Sequence, residues 1–125
     1  MREELVRKVF AAYNAHEADA WAALMTADGT FTSAYWGIDG RTYVGDQGLR
    51  EYFEEMGDQW DEYSMDIVRI EQAGDLAVAV ATLHATEPET HVEVAPEVAL
   101  IFEFEGELIS SVVTFANVDD ALARL

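Results

Sequence analysis

Cysteine is absent from this 125-residue chain. Its absence excludes disulfides, thiolate catalysis and cysteine-ligated zinc. Positive charge is scarce: 25 acidic residues face 7 basic ones, and Lys8 is the one lysine, for a formal net charge of −18. Phosphate contacts need Lys and Arg, and no basic stripe exists, so nucleic acid and anionic membranes are excluded as partners. No apolar run approaches the roughly 18 residues a membrane span requires. The opening MREELVRKVF is charged throughout and has neither an apolar stretch nor a cleavage site, so it does not read as a secretory signal. These absences together predict a cytoplasmic protein.

Half of the residues are apolar and 11% are aromatic, which is ample for one packed core in a single domain over residues 1–125. The acidity has two readings. It is a solvated surface that favours solubility, or an adaptation to high salt, where screening removes the self-repulsion. Melting in low and molar salt separates them.

The periodicity predicts helices over 2–15 and 17–25, the first with Leu5, Val9 and Tyr13 four apart and the second burying Trp21, Leu24 and Met25. Asp28-Gly29 reads as a turn and Thr30 to Trp36 as a strand, followed by a glycine-rich loop. Asp46 is the expected N-cap of a third helix over 46–58, whose Leu49, Phe53, Met56 and Trp60 recur at helical spacing beside Tyr52. From residue 63 the period becomes 2.0. Strands are predicted over 63–72, 75–87, 91–105 and 107–117, with hairpin turns at Ala73-Gly74-Asp75 and Glu105-Gly106-Glu107. A short helix over 119–125 closes the chain, with Asp119-Asp120 as its cap and first turn. Helices first and consecutive hairpins afterwards make an α+β fold without the crossover helices of a doubly wound sheet.

Four segments carry a family resemblance: LVRKVFAAYNAHEADAWAALMTADGTF, VGDQGLREYFEEM, EGELISSVVTF and NVDDALARL. In this order and spacing they resemble the SnoaL-like proteins of the nuclear transport factor 2-like superfamily. The resemblance implies a cone: a long curved, mostly antiparallel sheet wrapped around three helices, with an internal pocket. The superfamily includes polyketide cyclases, ketosteroid isomerases, epoxide hydrolases and dehydratases, so the fold alone does not give the function.

The known catalytic sets do not map onto this chain. A ketosteroid isomerase uses a carboxylate base with a tyrosine and a protonated aspartate. Those positions fall at Ser33, Val9 and either Val98 or Leu100. A one-residue slip at Pro96 would present Glu97 instead. The cyclases' His-Trp-Asp pattern falls on Ser111, Val112 and Val113. The Asp-Arg-Asp set of the epoxide hydrolases has no match around Arg41, Arg50 or Arg69.

The resemblance orients Ser111, Val113 and Phe115 inward, together with Leu100, Phe102 and Phe104. Val78, Val80, Thr82 and His84 share one strand face, read as the inner one. The candidate acid–base groups are His84 and Glu97. The candidate ligand-binding residues are Tyr13, Trp36, Tyr52, Trp60, Phe102, Ser111 and Phe115, since Tyr and Trp join an apolar body to a polar tip. His84, His91 and Glu93 have the residue types of a two-His-one-carboxylate site, but i,i+2 spacing is common by chance. No metal and no cofactor is expected. Apolar residues on both strand faces predict a homodimer through the outer sheet face. The chain thus reads as a binder of a small apolar or aromatic molecule. The alternatives are an isomerase, cyclase, hydrolase or dehydratase using His84 or Glu97, and an interaction module whose pocket is filled by its own side chains.

Overall fold

A computed structural model describes residues 2–33 and 41–124. The elements run α1 (Arg2–Asn14), α2 (Ala18–Ala22), β1 (Met25–Thr32), β2 (Thr42–Val44), α3 (Gly45–Gln59), β3 (Glu62–Ala73), β4 (Leu76–Thr86), β5 (Glu93–Val94), β6 (Glu97–Glu105), β7 (Leu108–Phe115) and α4 (Val118–Leu122). The sheet order is β2-β1-β7-β6-β4-β3, with β5 also on β4. Every pairing is antiparallel except β1 with β7. This is the α+β arrangement the sequence predicts. Gly74 and Gly106 turn two of the hairpins at positive φ, 62° in both, where a Cβ would be strained.

Several boundaries differ for local reasons. The second helix stops at Ala22, and the strand after it begins at Met25 rather than Thr30. The Asp28-Gly29 pair is absorbed within that strand as a register irregularity between Met25 and Thr30. A Cβ on Gly29 would meet Met25 Cε and Thr26 O at 3.0 Å, so the irregularity is tight for any larger residue. The stretch read as one strand over 91–105 breaks at Ala95-Pro96 into β5 and β6. Pro96 has no N–H for a ladder, yet its carbonyl still accepts from Leu83 N–H at 2.9 Å. Asp46 is not the N-cap of α3; Val44 holds that place and Asp46 lies in the first turn. In α4 the cap is Asn117, whose Oδ1 accepts from Asp120 N–H at 3.1 Å, while Asp119 and Asp120 form the first turn.

The inward faces of two strands are the reverse of the expectation. On β4 the alanines Ala77, Ala79, Ala81 and Ala85 join the main core, while Val78 belongs to a second cluster on the outer face. Helix α1 packs on β3 and β4, and the small alanines let it approach. On β7, Ile109 and Val112 point inward, and Phe115 joins the outer cluster. A bulge opposite Glu103 and Phe104 shifts the alternation there, so Ser111 and Val113 turn outward with Phe115. Leu100 and Phe102 do face the main core and Ile101 the outer cluster, as expected. Helix α4 lays Val118, Ala121 and Leu122 against Val78, Ala99 and Ile101.

Candidate functional site

The interior of the cone is built from aromatic rings supplied by six elements. α1 contributes Tyr13, α2 Trp21, β1 Phe31, β2 Tyr43, α3 Tyr52 and Phe53, and β3 Tyr63. Trp21 meets Phe31 edge-on with centroids 4.8 Å apart, and Phe31 meets Tyr52 in the same way at 4.8 Å. Tyr13 lies 6.1 Å from both Trp21 and Tyr52. Three of these contacts are the edge-to-face geometry that aromatic quadrupoles favour, while Tyr13 and Tyr52 are tilted at 40°.

Polar groups are buried in this apolar setting. The hydroxyls of Tyr13 and Tyr52 are 2.9 Å apart and share one hydrogen bond. Two hydroxyls carry two donor protons and the shared bond uses one; the other has no acceptor among the described residues. The indole Nε1–H of Trp21, a residue only 1% exposed, also lacks a partner among the described residues. A buried donor left unpaired costs about 1–3 kcal/mol, so such groups call for an explanation. Burial pushes the Tyr13 phenol well above its ordinary value, with the Tyr52 hydrogen bond pulling the other way. Burial also raises Tyr52, with further upward contributions from Tyr13. Burial alone pushes Tyr63 up to about 12. All three therefore stay protonated donors rather than bases near neutrality.

Other polar groups are engaged. The backbone N–H and the hydroxyl of buried Ser33 both donate to the carbonyl of Arg41. Tyr43 donates to Glu55, which also pairs with Arg41. Asn14 clamps the end of α1 to β3: its amide donates to Met65 O at 2.9 Å and accepts from Met65 N–H at 2.7 Å. His16 stacks on Tyr63 at 4.1 Å between centroids and reaches Tyr63 O through Nε2 at 2.9 Å.

Of the sequence-predicted site residues, the structure brings Tyr13 and Tyr52 together. Phe102 is buried in the same core, 6.4 Å from Phe10. Trp60 ends α3 half-buried, packed on the core's edge. Trp36 lies outside the described residues. Ser111 and Phe115 stand on the other side of the sheet, as the bulge in β7 dictates. His84 is also outward, between Asp66 and Glu93. Glu97 is exposed beside Thr82 on that same face, because Val98 after it points into the core. The family positions Val9, Val98 and Leu100 are buried apolar core. Among the described residues no group of three or more His, Asp or Glu side chains converges as a metal site, and His91 is not joined to His84 and Glu93.

Sequence reasoning left Trp21, Phe31 and Tyr43 out of the site. Tyr43 sits in a Thr-Tyr-Val triplet, a strand signal too short to stand out from the surrounding glycines. Two clefts of about 470 Å³ lie elsewhere. One is between α2, β1 and the start of α3, lined by Ala22, Met25, Leu49, Asp19 and Asp46 among others. The other is at the β3–β4–β5 edge, lined by Asn14, His16, Tyr63, Asp66, His84 and Glu93 among others.

Solved structures share the whole architecture. A protein of ketosteroid isomerase-like fold from Catenulispora acidiphila, solved in complex with trimethylamine, superposes with a TM-score of 0.81 at 22% identity, over 96% of this chain and 90% of that one. An NTF2-like protein of unknown function from Burkholderia pseudomallei gives 0.80 at 14% identity, over 97% and 94%. TerC co-crystallised with polyporic acid gives 0.79 at 13% identity, over 98% and 95%. At these identities the likeness is one of fold. No curated protein matches the chain in sequence. The family model for the SnoaL-like domain, however, matches residues 6–112. With the helices-then-sheet order and the cone around an aromatic interior, that match places the chain in the SnoaL-like family.

Proposed function

We propose that this SnoaL-like domain binds a small apolar or aromatic molecule carrying an acceptor oxygen, such as an aryl ketone, in the interior of its cone. The observation that carries this reading is the unpartnered Nε1–H of Trp21 beside the Tyr13–Tyr52 pair. Both supply donors without acceptors, so the complementary ligand brings acceptors. Trp21, Phe31 and Tyr52 pack edge-on against one another, so an aromatic ligand would enter by parting these rings. The net charge of −18 disfavours an anion, which leaves a neutral carbonyl. Two relatives of this fold hold small molecules, trimethylamine and polyporic acid, which supports a cone that admits a ligand.

This reading assigns no acid–base step. His84 and Glu97 face away from the aromatic interior, and Ser33 is the one polar residue among the buried described side chains apart from the tyrosine and tryptophan tips. The homodimer belongs to the proposal in reduced form, through the outer sheet surface that α4 leaves uncovered around Ser111 and Val113; sedimentation at two concentrations tests it. For the ligand, thermal shift with acetonaphthone against isopropylnaphthalene is the test. The two have nearly the same shape and differ in the carbonyl. Acetonaphthone should raise the melting temperature more than the hydrocarbon does, and the difference should shrink in the Tyr13→Phe/Tyr52→Phe variant, which keeps only the Trp21 donor. Equal shifts from both compounds, or none, would reject the proposal.

A further inference from the structure

On the outer face, His84 bridges three strands. Its Nε2 lies 3.0 Å from Asp66 Oδ2 on β3, and its Nδ1 lies 2.8 Å from Glu93 Oε1 on β5. The register explains the juxtaposition. Ser64 pairs with His84 and Asp66 with Thr82, while Thr86 pairs with Glu93, so the three side chains share one face. An ionised carboxylate only accepts hydrogen bonds, and a neutral imidazole has a single N–H. The Nδ1–Glu93 contact is a hydrogen bond and the Nε2–Asp66 contact an ion pair; both attract fully only when the ring carries both protons. Of the two arms, β5 is the weaker element, since it is held to β4 by two residue pairs whereas β3 is held by eleven.

We propose that His84 is a proton-operated clasp that fastens the β4–β5 hairpin to β3. With the ring doubly protonated, both arms are tied. On losing a proton the ring keeps one N–H, for which Asp66 and Glu93 compete, and the nitrogen left with a lone pair faces a carboxylate. The hairpin then loosens at β5. The charged groups around the ring are Asp66 and Glu62 from β3, Glu93 from β5, Glu97 from β6, and Asp61 just before β3. None of these acids can donate in place of the ring when ionised. His16 stands across the same cleft but is stacked on Tyr63 and tied to its carbonyl. Because His84 and Glu93 line that cleft of about 470 Å³, the clasp also sets the position of one of its walls.

The test is hydrogen exchange of the Glu93 and Val94 amides, corrected for intrinsic rates, across the pH range of about 5 to 8 in which imidazoles titrate. The arms are solvent-exposed, so the expected rise in local opening is modest, about threefold. His84→Gln should show no such rise. Asp66→Asn, a change on a different strand, should also abolish it: the asparagine amide can donate to Nε2 and leave the single ring N–H on Glu93. Opening that rises equally in both variants, or does not rise in the wild-type chain, would overturn the clasp. Circular dichroism melts of all three proteins establish that each is folded, and Glu93→Gln serves as the second variant should His84→Gln not fold.

Discussion

Replacing the two buried tyrosines by phenylalanine, singly and together, separates a structural role for their hydroxyls from a ligand-binding one. In Tyr52→Phe the ring and its edge contact with Phe31 remain, but the Tyr13 hydroxyl loses its only partner among the described residues. A buried hydroxyl stranded in this way costs about 1–3 kcal/mol. Tyr13→Phe strands Tyr52 by the same argument and loses a similar amount. In the double variant neither hydroxyl of the pair is left to strand, and both rings stay in place. Its stability should return to within about 1 kcal/mol of the wild-type value or exceed it, because replacing both partners of a buried hydrogen bond is close to neutral. The coupling between the two changes is then about 1–3 kcal/mol in favour of the double variant. Urea unfolding at neutral pH, followed by circular dichroism, measures all four corners of the cycle. Additive losses would refute the reasoning, since they would mean that each hydroxyl supports the fold through contacts of its own. A double variant that is stable yet indifferent to the ketone would instead show hydroxyls kept at a cost to stability for the sake of binding.

The phenols also set an alkaline limit. Tyr13, Tyr52 and Tyr63 are all raised by burial, Tyr63 to about 12. An unfolded chain ionises them near 10, so their contribution is whole below that pH and is lost as pH rises further. The slope is about 1.4 kcal/mol per pH unit for each phenol, and urea melts in that range should show it fall by about two thirds in the double phenylalanine variant. Two glycines of α3 should respond oppositely to alanine. A Cβ on Gly48 would lie 2.9 Å from the Tyr43 carbonyl carbon, so Gly48→Ala should destabilise by about 1–3 kcal/mol by forcing α3 off β2. Gly57 has open space around it, and Gly57→Ala should stabilise by about 0.5–1 kcal/mol through helix propensity; thermal melts measure both. Asn14→Ala should lose about 1–3 kcal/mol, because Met65 N–H and C=O are both left without the clamp.

The helices and hairpins were readable because their signals are local. Spacing of Leu49, Met56 and Tyr52 marks α3, and Gly74 and Gly106 mark turns that need positive φ. Facing is less local. The bulge in β7 turns Ser111 and Phe115 outward, and nothing in LISSVVTF announces it, since the alternation there allows either face. The alanines of β4 mislead for a related reason: larger valines look like core, but the side that carries α1 needs small residues and the side under α4 takes Val78. His84 was readable as a reactive type but not as a bridge, because Asp66 and Glu93 reach it only through strand register. Tyr13 and Tyr52 stand out in the sequence as amphipathic rings. Their hydroxyl contact spans 39 residues of sequence, beyond any pattern argument.

The central claim is that the buried donors await an acceptor, and the Trp21 indole proton reports on it directly. Its ¹H–¹⁵N resonance, assigned by its loss in Trp21→Phe, should move downfield as acetonaphthone is added and stay in place with isopropylnaphthalene. A Trp21 indole resonance that ignores the ketone, or shifts equally with both compounds, would contradict the account.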